Sequence, residues 1–382
     1  MACRGLLALC ACATGCGRIG FGLSGGGTGG DATADVSVDA APCVGAAAQL
    51  AMDAAGNGTW VTAVRASRTV DGFSVTYIAP DLAAFALAYS VTGGTGAPIV
   101  ADTMVEPAAA LHVGSAALGN IILVVSEVGT ATSVRPYNRM LSMTSAGLTR
   151  PMRHAVDRSI VGTEDNGTVA LFTYGGTPQI SGTIVTPLGA DTGSTVPMIT
   201  NSGISAEQIV AGATGFVAVW LEVGAVRAAT FDLSLATVTS PANITSGGTA
   251  FQPAIGWASA QHRGLVAWQA QGGEAQAVIV DETLAPVGAP FTLAASGNAL
   301  RIASDGNSFW VVWHDVSQPS LLAGAHVTAD AMVTPFSLAG TGGTEVDHDL
   351  VRLTNGSVEV IWFERGGSGA PLWVIPACTL GT

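Results

Sequence analysis

Two sets of acidic residues in this chain could do chemistry. The first is Glu345-Val-Asp-His-Asp349, which puts three carboxylates and one imidazole into five residues. Carboxylate oxygens at that density suit Ca²⁺, a hard cation that takes 6–8 oxygen ligands. A transition metal would want more than the single imidazole of His348. The second set is positional. A short apolar segment recurs along the chain, as Gly215-Phe-Val-Ala-Val-Trp220, Gly264-Leu-Val-Ala-Trp268, Phe309-Trp-Val-Val-Trp313 and Val358-Glu-Val-Ile-Trp362. Weaker copies are Trp60–Val64, Ile121–Val125 and Thr168–Phe172. The position two residues beyond each copy holds Ala66, Glu127, Tyr174, Glu222, Ala270, Asp315 or Glu364. Four acids in seven equivalent places, from only 27 in the chain, imply carboxylates around one mouth of whatever the repeat builds. Asp315, Glu345, Asp347, Asp349 and Glu364 are the candidate cation ligands, and Glu127 and Glu222 extend the acidic rim. The plainer alternative is a solvated rim in which Arg352 or Arg365 supplies the counter-charge. Paired carboxylates could also hydrolyse or cleave a glycan. Nothing in the sequence fixes a pair at the needed separation, and no H-E-x-x-H or P-loop is present.

The repeat that positions these acids is regular. Its anchor residues fall at 64, 125, 172, 220, 268, 313 and 362, at intervals of 61, 47, 48, 48, 45 and 49. The long first interval predicts an insertion between residues 65 and 72 or between 91 and 101. Each unit reads as four short strands. In the fifth these are 252–258, 264–270, 276–281 and 291–294. Asn57-Gly58, Gly119-Asn120, Asn166-Gly167, Gly306-Asn307 and Asn355-Gly356 mark tight hairpins between first and second strands, where positive φ is required. The anchor strands are apolar on both faces, so Trp220, Trp268, Trp313 and Trp362 read as core. Trp310 and Trp313, three apart on one strand, must point to opposite faces.

Four-stranded units repeating every 40–50 residues describe a β-propeller, and seven anchors give an all-β, seven-bladed one. The chain is similar to bacterial extracytoplasmic propeller lipoproteins over about residues 44–378. It carries no Trp-Asp signature, kelch double glycine or intact sialidase box, so the resemblance is to no specific propeller family. It implies a binding or scaffold module for a protein or glycan ligand. The last unit runs out after its third strand at 372–378. Its missing fourth strand is expected from Asp35–Ala41, whose Val36 and Val38 alternate.

The amino terminus carries an address. Residues 1–16 hold Arg4, an apolar stretch and small residues before Cys16, the pattern of an export signal. Ala13-Thr14-Gly15-Cys16 resembles a bacterial lipobox, although the family prefers Leu where Ala13 stands. Leu9-Cys10-Ala11-Cys12 offers a second register with a cramped apolar core. The resemblance implies a lipid on Cys16, a Gly-rich tether over 17–42 and a propeller over 43–382. Those 26 tether residues reach about 25–30 Å. Gly17 in place of Asp implies the outer membrane, on its periplasmic or cell-surface face, with the lipid as the sole membrane contact. Cys3, Cys10 and Cys12 leave with the signal, and the remaining pair, Cys43 and Cys378, reads as a disulfide in an oxidising compartment.

Composition agrees with an exported monomer. Charged residues are 11%, against roughly 25% in an average soluble protein. All 14 basic residues are Arg, and the net charge of −13 excludes a nucleic-acid surface. Hydrophobic residues at 48% rule out a disordered chain.

Overall fold

The computed structural model describes residues 48–51 and, apart from short connecting segments, 62–376. Everything described belongs to the unit Ala40–Thr382. Cys16, Cys43, Cys378, the tether and the segment 35–41 lie outside the described residues.

The described residues form only β-strands, grouped into seven antiparallel sheets. Six take their strands consecutively from the chain, as meanders. The seventh joins Thr344–Arg352, Val358–Arg365 and Leu372–Pro376 to Ala48–Ala51, whose Ala48 pairs with Val374 and Gln49 with Trp373. The amino-terminal side of the chain therefore completes the last sheet, as expected. The strand that does so is Ala48–Ala51, not Asp35–Ala41.

Each sheet has an inner strand, which is its first strand except in the third, where Arg153–His154 comes before Ile160–Thr163 and both pair with Thr168–Tyr174. The inner strands are Thr62–Thr69, Ala110–Leu118, Ile160–Thr163, Ile204–Ala211, Phe251–Ala258, Asn298–Ser304 and Thr344–Arg352. Each lies against the inner strand of the next sheet, and Thr344–Arg352 lies against Thr62–Thr69. The approach is close: a Cβ on Gly256 would come within 2.5 Å of Ile302 Cγ2. The strands expected in the fifth unit are observed at Phe251–Ala258, Arg263–Gln269, Ala275–Val280 and Pro286–Ala294.

The core lies between sheets, which explains why second strands are apolar on both faces. Along Gly215–Glu222, Phe216, Ala218 and Trp220 pack with Phe172 and Ile180 of the preceding sheet. Their alternates Val217, Val219 and Leu221 pack with Ile255, Val266 and Trp268 of the next. Trp313 faces back to Leu265 and Ile279, while Trp310 faces forward to Val360 and Trp362, so the opposed orientation expected of this pair holds. All four anchor Trp are buried. At about 25 cal/mol per Å² and 150–250 Å² per aromatic side chain, each contributes several kcal/mol.

One unit was misplaced by the repeat. Val64 belongs to an inner strand, and the second strand of the first sheet is Gly72–Ile78. Thr69 pairs directly with Gly72, so there is no insertion between 65 and 72. Tyr77 of this strand meets Phe363 of the last sheet, ring centroids 5.0 Å apart.

Candidate functional site

The inner strands have two unlike ends. At the end where each strand enters its sheet, six of the seven carry a β-bulge or register irregularity among the described residues, at 62–64, 110–112, 205–208, 251–254, 298–301 and 345–347. A bulge leaves a backbone group out of its own ladder, and a buried N–H then needs another acceptor. The neighbouring sheet supplies it. Ile255 N–H donates to Gln208 Oε1 (2.6 Å) and Ala299 N–H to Gln252 Oε1 (2.7 Å), each bond reaching 47 residues to the next unit. Between the last sheet and the first, Val64 N–H donates to Asp347 Oδ2 (2.7 Å), and Ala66 N–H donates to Asp349 Oδ2 (2.8 Å).

The acidic candidates can now be placed. Glu345–Asp349 is not a loop between units; it is the inner strand of the seventh sheet, with His348 and Asp349 fully buried. Asp347 also accepts from Arg65 Nη1 at 3.0 Å and lies 3.9 Å from Arg301 Nη2. The other Asp349 oxygen accepts from the N–H of Leu350 at 2.9 Å. Glu345 stands opposite Glu364 in the strand register, and their side chains lie outside the described residues. Asp315 caps its own turn, accepting from Ser317 N–H and Oγ–H. Glu127 is buried 3.9 Å from His112, and Glu222 pairs with Arg227 at 3.0 Å. Among the described residues no three His, Cys, Asp or Glu side chains are grouped to hold a metal ion. The described acids lie on or just beyond the first and second strands of their sheets. Their chemistry there is bonding between and within sheets.

At the opposite end, where each inner strand turns into its second strand, the strands surround an open cavity of about 500 Å³. All seven inner strands line it, from Arg65–Thr69 in the first sheet to Asp349–Arg352 in the seventh. The close spacing of the inner strands is carried here by small residues such as Gly114, Gly162 and Gly256. Its charged lining residues are Arg65, Arg68, Arg352 and Asp349. Sequence reasoning named Arg352 only as a counter-charge to the acids and missed Arg65 and Arg68, because they sit on inner strands, whose apolar pattern is the weakest in each unit.

No family model matches the chain, and no curated protein does. Among solved structures it is similar to the Dos1 propeller, with a TM-score of 0.51 at 9% identity over 86% of this chain and 94% of that one. It is also similar to Kluyveromyces lactis Hsv2, with a TM-score of 0.49 at 10% identity over 79% and 90%. The fold is a β-propeller. Identity this low carries the architecture and no function.

Proposed function

We propose that this protein is a seven-bladed propeller acting as an extracytoplasmic binding module, anchored by lipid on Cys16 and holding its ligand in the cavity between the inner strands. The cavity carries the reading: all seven sheets contribute to it, and its volume falls in the 300–1,000 Å³ range typical of ligand sites. Concave sites of this kind need no catalytic residues to bind. A glycan hydrolase would need two carboxylates across the cleft, 5–10 Å apart. The described lining carries one, Asp349, and both its oxygens accept backbone N–H groups. The anchor reading is supported by the lipobox-like run before Cys16, and a closing disulfide by Cys43 and Cys378 flanking, in sequence, the two strands that pair at the junction.

Ala66 and Ala117 line the cavity and, among the described residues, are part of none of the apolar clusters between sheets. Ala117→Phe should therefore obstruct it while leaving the cores intact. Thermal unfolding of the exported protein with a panel of neutral and anionic oligosaccharides should reveal ligands that raise the midpoint of the native protein but not of Ala117→Phe. Equal shifts in both would remove the cavity from the reading. Mass spectrometry of the mature amino terminus should find a diacylglyceryl Cys16, and an unmodified terminus beyond residue 16 would remove the anchor.

A further inference from the structure

We infer that two neighbouring hairpins, in the second and third sheets, form an apolar edge that rests on the bilayer holding the lipid of Cys16. The inference rests on the anchor reading above and adds which side of the propeller meets the membrane. The hairpins join third to fourth strands and begin at Asn138 and Thr186. Asn138 stands opposite Ile121 and Val185 opposite Val169, each near the start of a second strand, so both hairpins lie at the turn end. They pack on one another: Ser145 Oγ–H donates to Leu188 O at 2.6 Å, and a Cβ on Gly189 would meet Pro136 Cδ at 2.9 Å. Together they expose Met140, Met143 and Leu188, at 52%, 57% and 62%. The first hairpin holds its methionines out. Asn138 Oδ1 accepts from the N–H groups of Met140 and Ser142, while Leu141, between the methionines, is buried with Val105 and Tyr137. Large apolar groups grouped on an exposed edge mark a protein or membrane contact.

The path of the chain decides between them. Ala48 pairs with Val374, which stands opposite Ile361, and Ala51 pairs with Leu372, which stands opposite Phe363. In that second strand the turn end is at Val358, opposite Arg352. Ala48 is therefore the turn end of its strand, and the chain enters its first described strand on the side that carries Met140, Met143 and Leu188. The 26 tether residues between Cys16 and Cys43 span about 25–30 Å. The entry end of the sheets lies a strand length further, about 25 Å at roughly 3.3 Å per residue. A lipid on Cys16 thus holds the turn end, not the entry end, towards its bilayer. Charge selects the edge within that end. The described residues of these two hairpins include Arg139 and no carboxylate, and Asp191, later in the second of them, lies outside the described residues. The equivalent hairpins of the fourth, fifth and sixth sheets carry Asp232, Asp281 with Glu282, and Asp330. An anionic lipid surface repels those three, and it accepts the apolar edge, whose methionines adapt to an irregular partner.

The methionines themselves report the contact, because peroxide converts exposed Met to its sulfoxide. The exported protein would be reconstituted on vesicles of phosphatidylethanolamine and phosphatidylglycerol, and oxidation followed at each Met by peptide mass spectrometry. The same spectra read the modification of Cys16. Met104, 50% exposed at the entry end of the first sheet, is the internal reference. Relative to Met104, Met140 and Met143 should oxidise about fivefold more slowly on vesicles than in the full-length Cys16→Ser chain without vesicles. Met332, on an acidic hairpin and 55% exposed, should stay as reactive as Met104. The double variant Met140→Asp, Leu188→Asp should return Met143 to its rate in solution with the thermal midpoint unchanged, since both replaced side chains are exposed. Undiminished oxidation of Met140 and Met143 in a protein whose Cys16 is diacylated would overturn the inference and spare the anchor. An unmodified Cys16 would overturn both. Protection without vesicles that grows with protein concentration would mean that a second copy covers the edge, and would overturn the inference. So would protection of Met143 that survives the two Asp substitutions, or equal protection of Met332.

Discussion

The two ends of the inner strands are built from the same repeat and put polar residues to opposite use. At the entry end, bulges free backbone N–H groups, and Gln208, Gln252 and Asp347 accept them across sheet boundaries. At the turn end the pairing is regular, the residues are small, and the charged side chains border open space. The acids, conspicuous in the sequence, are the fastening. Three arginines border the cavity. A polar residue near an axis of repetition is therefore weak evidence of a ligand site until the acceptor or donor it already serves is known.

If the entry end is a fastening, breaking it should be the most damaging single change. Asp347→Ala would leave Arg65 buried without its carboxylate and Val64 N–H without an acceptor. Losing one partner of a buried ion pair costs about 3–5 kcal/mol. Because the Asp347 side chain is 17% exposed, the lower bound, about 3 kcal/mol, is expected in urea denaturation. Asp347→Asn keeps an acceptor for Val64 and should lose about half as much. A cost for Asp347→Ala below 1 kcal/mol would erase the distinction between the two ends.

The turn end contains one acid that destabilises. Glu359 pairs across its strand with Val351, near the turn, and is 5% exposed. Alternation along Val358–Arg365 puts it on the face of Phe363, towards the first sheet. Burial pushes its carboxyl up from 4.5 to about 8. The folded protein then holds a proton that the unfolded chain releases as pH rises through the ordinary carboxylate range. Stability should therefore fall between pH 4.5 and about 8 and level off above. Glu359→Gln should change little at pH 4.5 and stabilise by about 2 kcal/mol at pH 8.5. A Gln variant with the same pH profile as the native protein would show that this face is not closed to water.

Most of the architecture was legible because second strands are covered on both sides, so their apolar runs announce themselves at each period. The first unit was the exception, for a physical reason. Its second strand is Gly-Phe-Ser-Val-Thr-Tyr-Ile, and Ser74 and Thr76 are fully buried within it. They are satisfied there by the inner strand, Ser74 Oγ bonding Ser67 Oγ at 2.7 Å and Thr76 Oγ1 donating to Arg65 O at 3.3 Å. With no apolar run at 72–78, the pattern settled instead on Trp60–Val64. The cavity was not legible at all. Its lining comes from all seven inner strands, and only the packing of those strands side by side brings the residues to one opening.

A second repeat went unread in the sequence, and it supplies the mildest test of the comparison. Five hairpins joining third to fourth strands begin at Asn138, Thr186, Asp232, Asp281 and Thr328, 46–49 residues apart. In each, the N–H three residues on returns to the first carbonyl, from Leu141, Gly189, Leu235, Leu284 and Ala331, all at positive φ. At Asp281 the side chain completes the turn, its Oδ1 accepting from Thr283 N–H (2.9 Å), Thr283 Oγ–H (2.7 Å) and Ala285 N–H (3.0 Å). The bond from the Thr283 hydroxyl, chiefly, holds its carboxyl below the usual 3.8. A depressed folded value stabilises above the unfolded one, so this contribution is present at neutral pH and is lost as pH falls below 3.8. The group is exposed, so solvent limits the effect, and Asp281→Ala should cost about 1 kcal/mol at pH 7. Asp232→Ala, in the equivalent turn, should cost the same, and the double variant should be additive. Thermal unfolding at pH 7 and pH 3 checks both points, the gap to the native protein narrowing at the lower pH. These turns hold a single hairpin each, whereas Asp347 holds two sheets together. An Asp281→Ala variant as damaged as Asp347→Ala would mean that the fastening between sheets is no stronger than a surface turn.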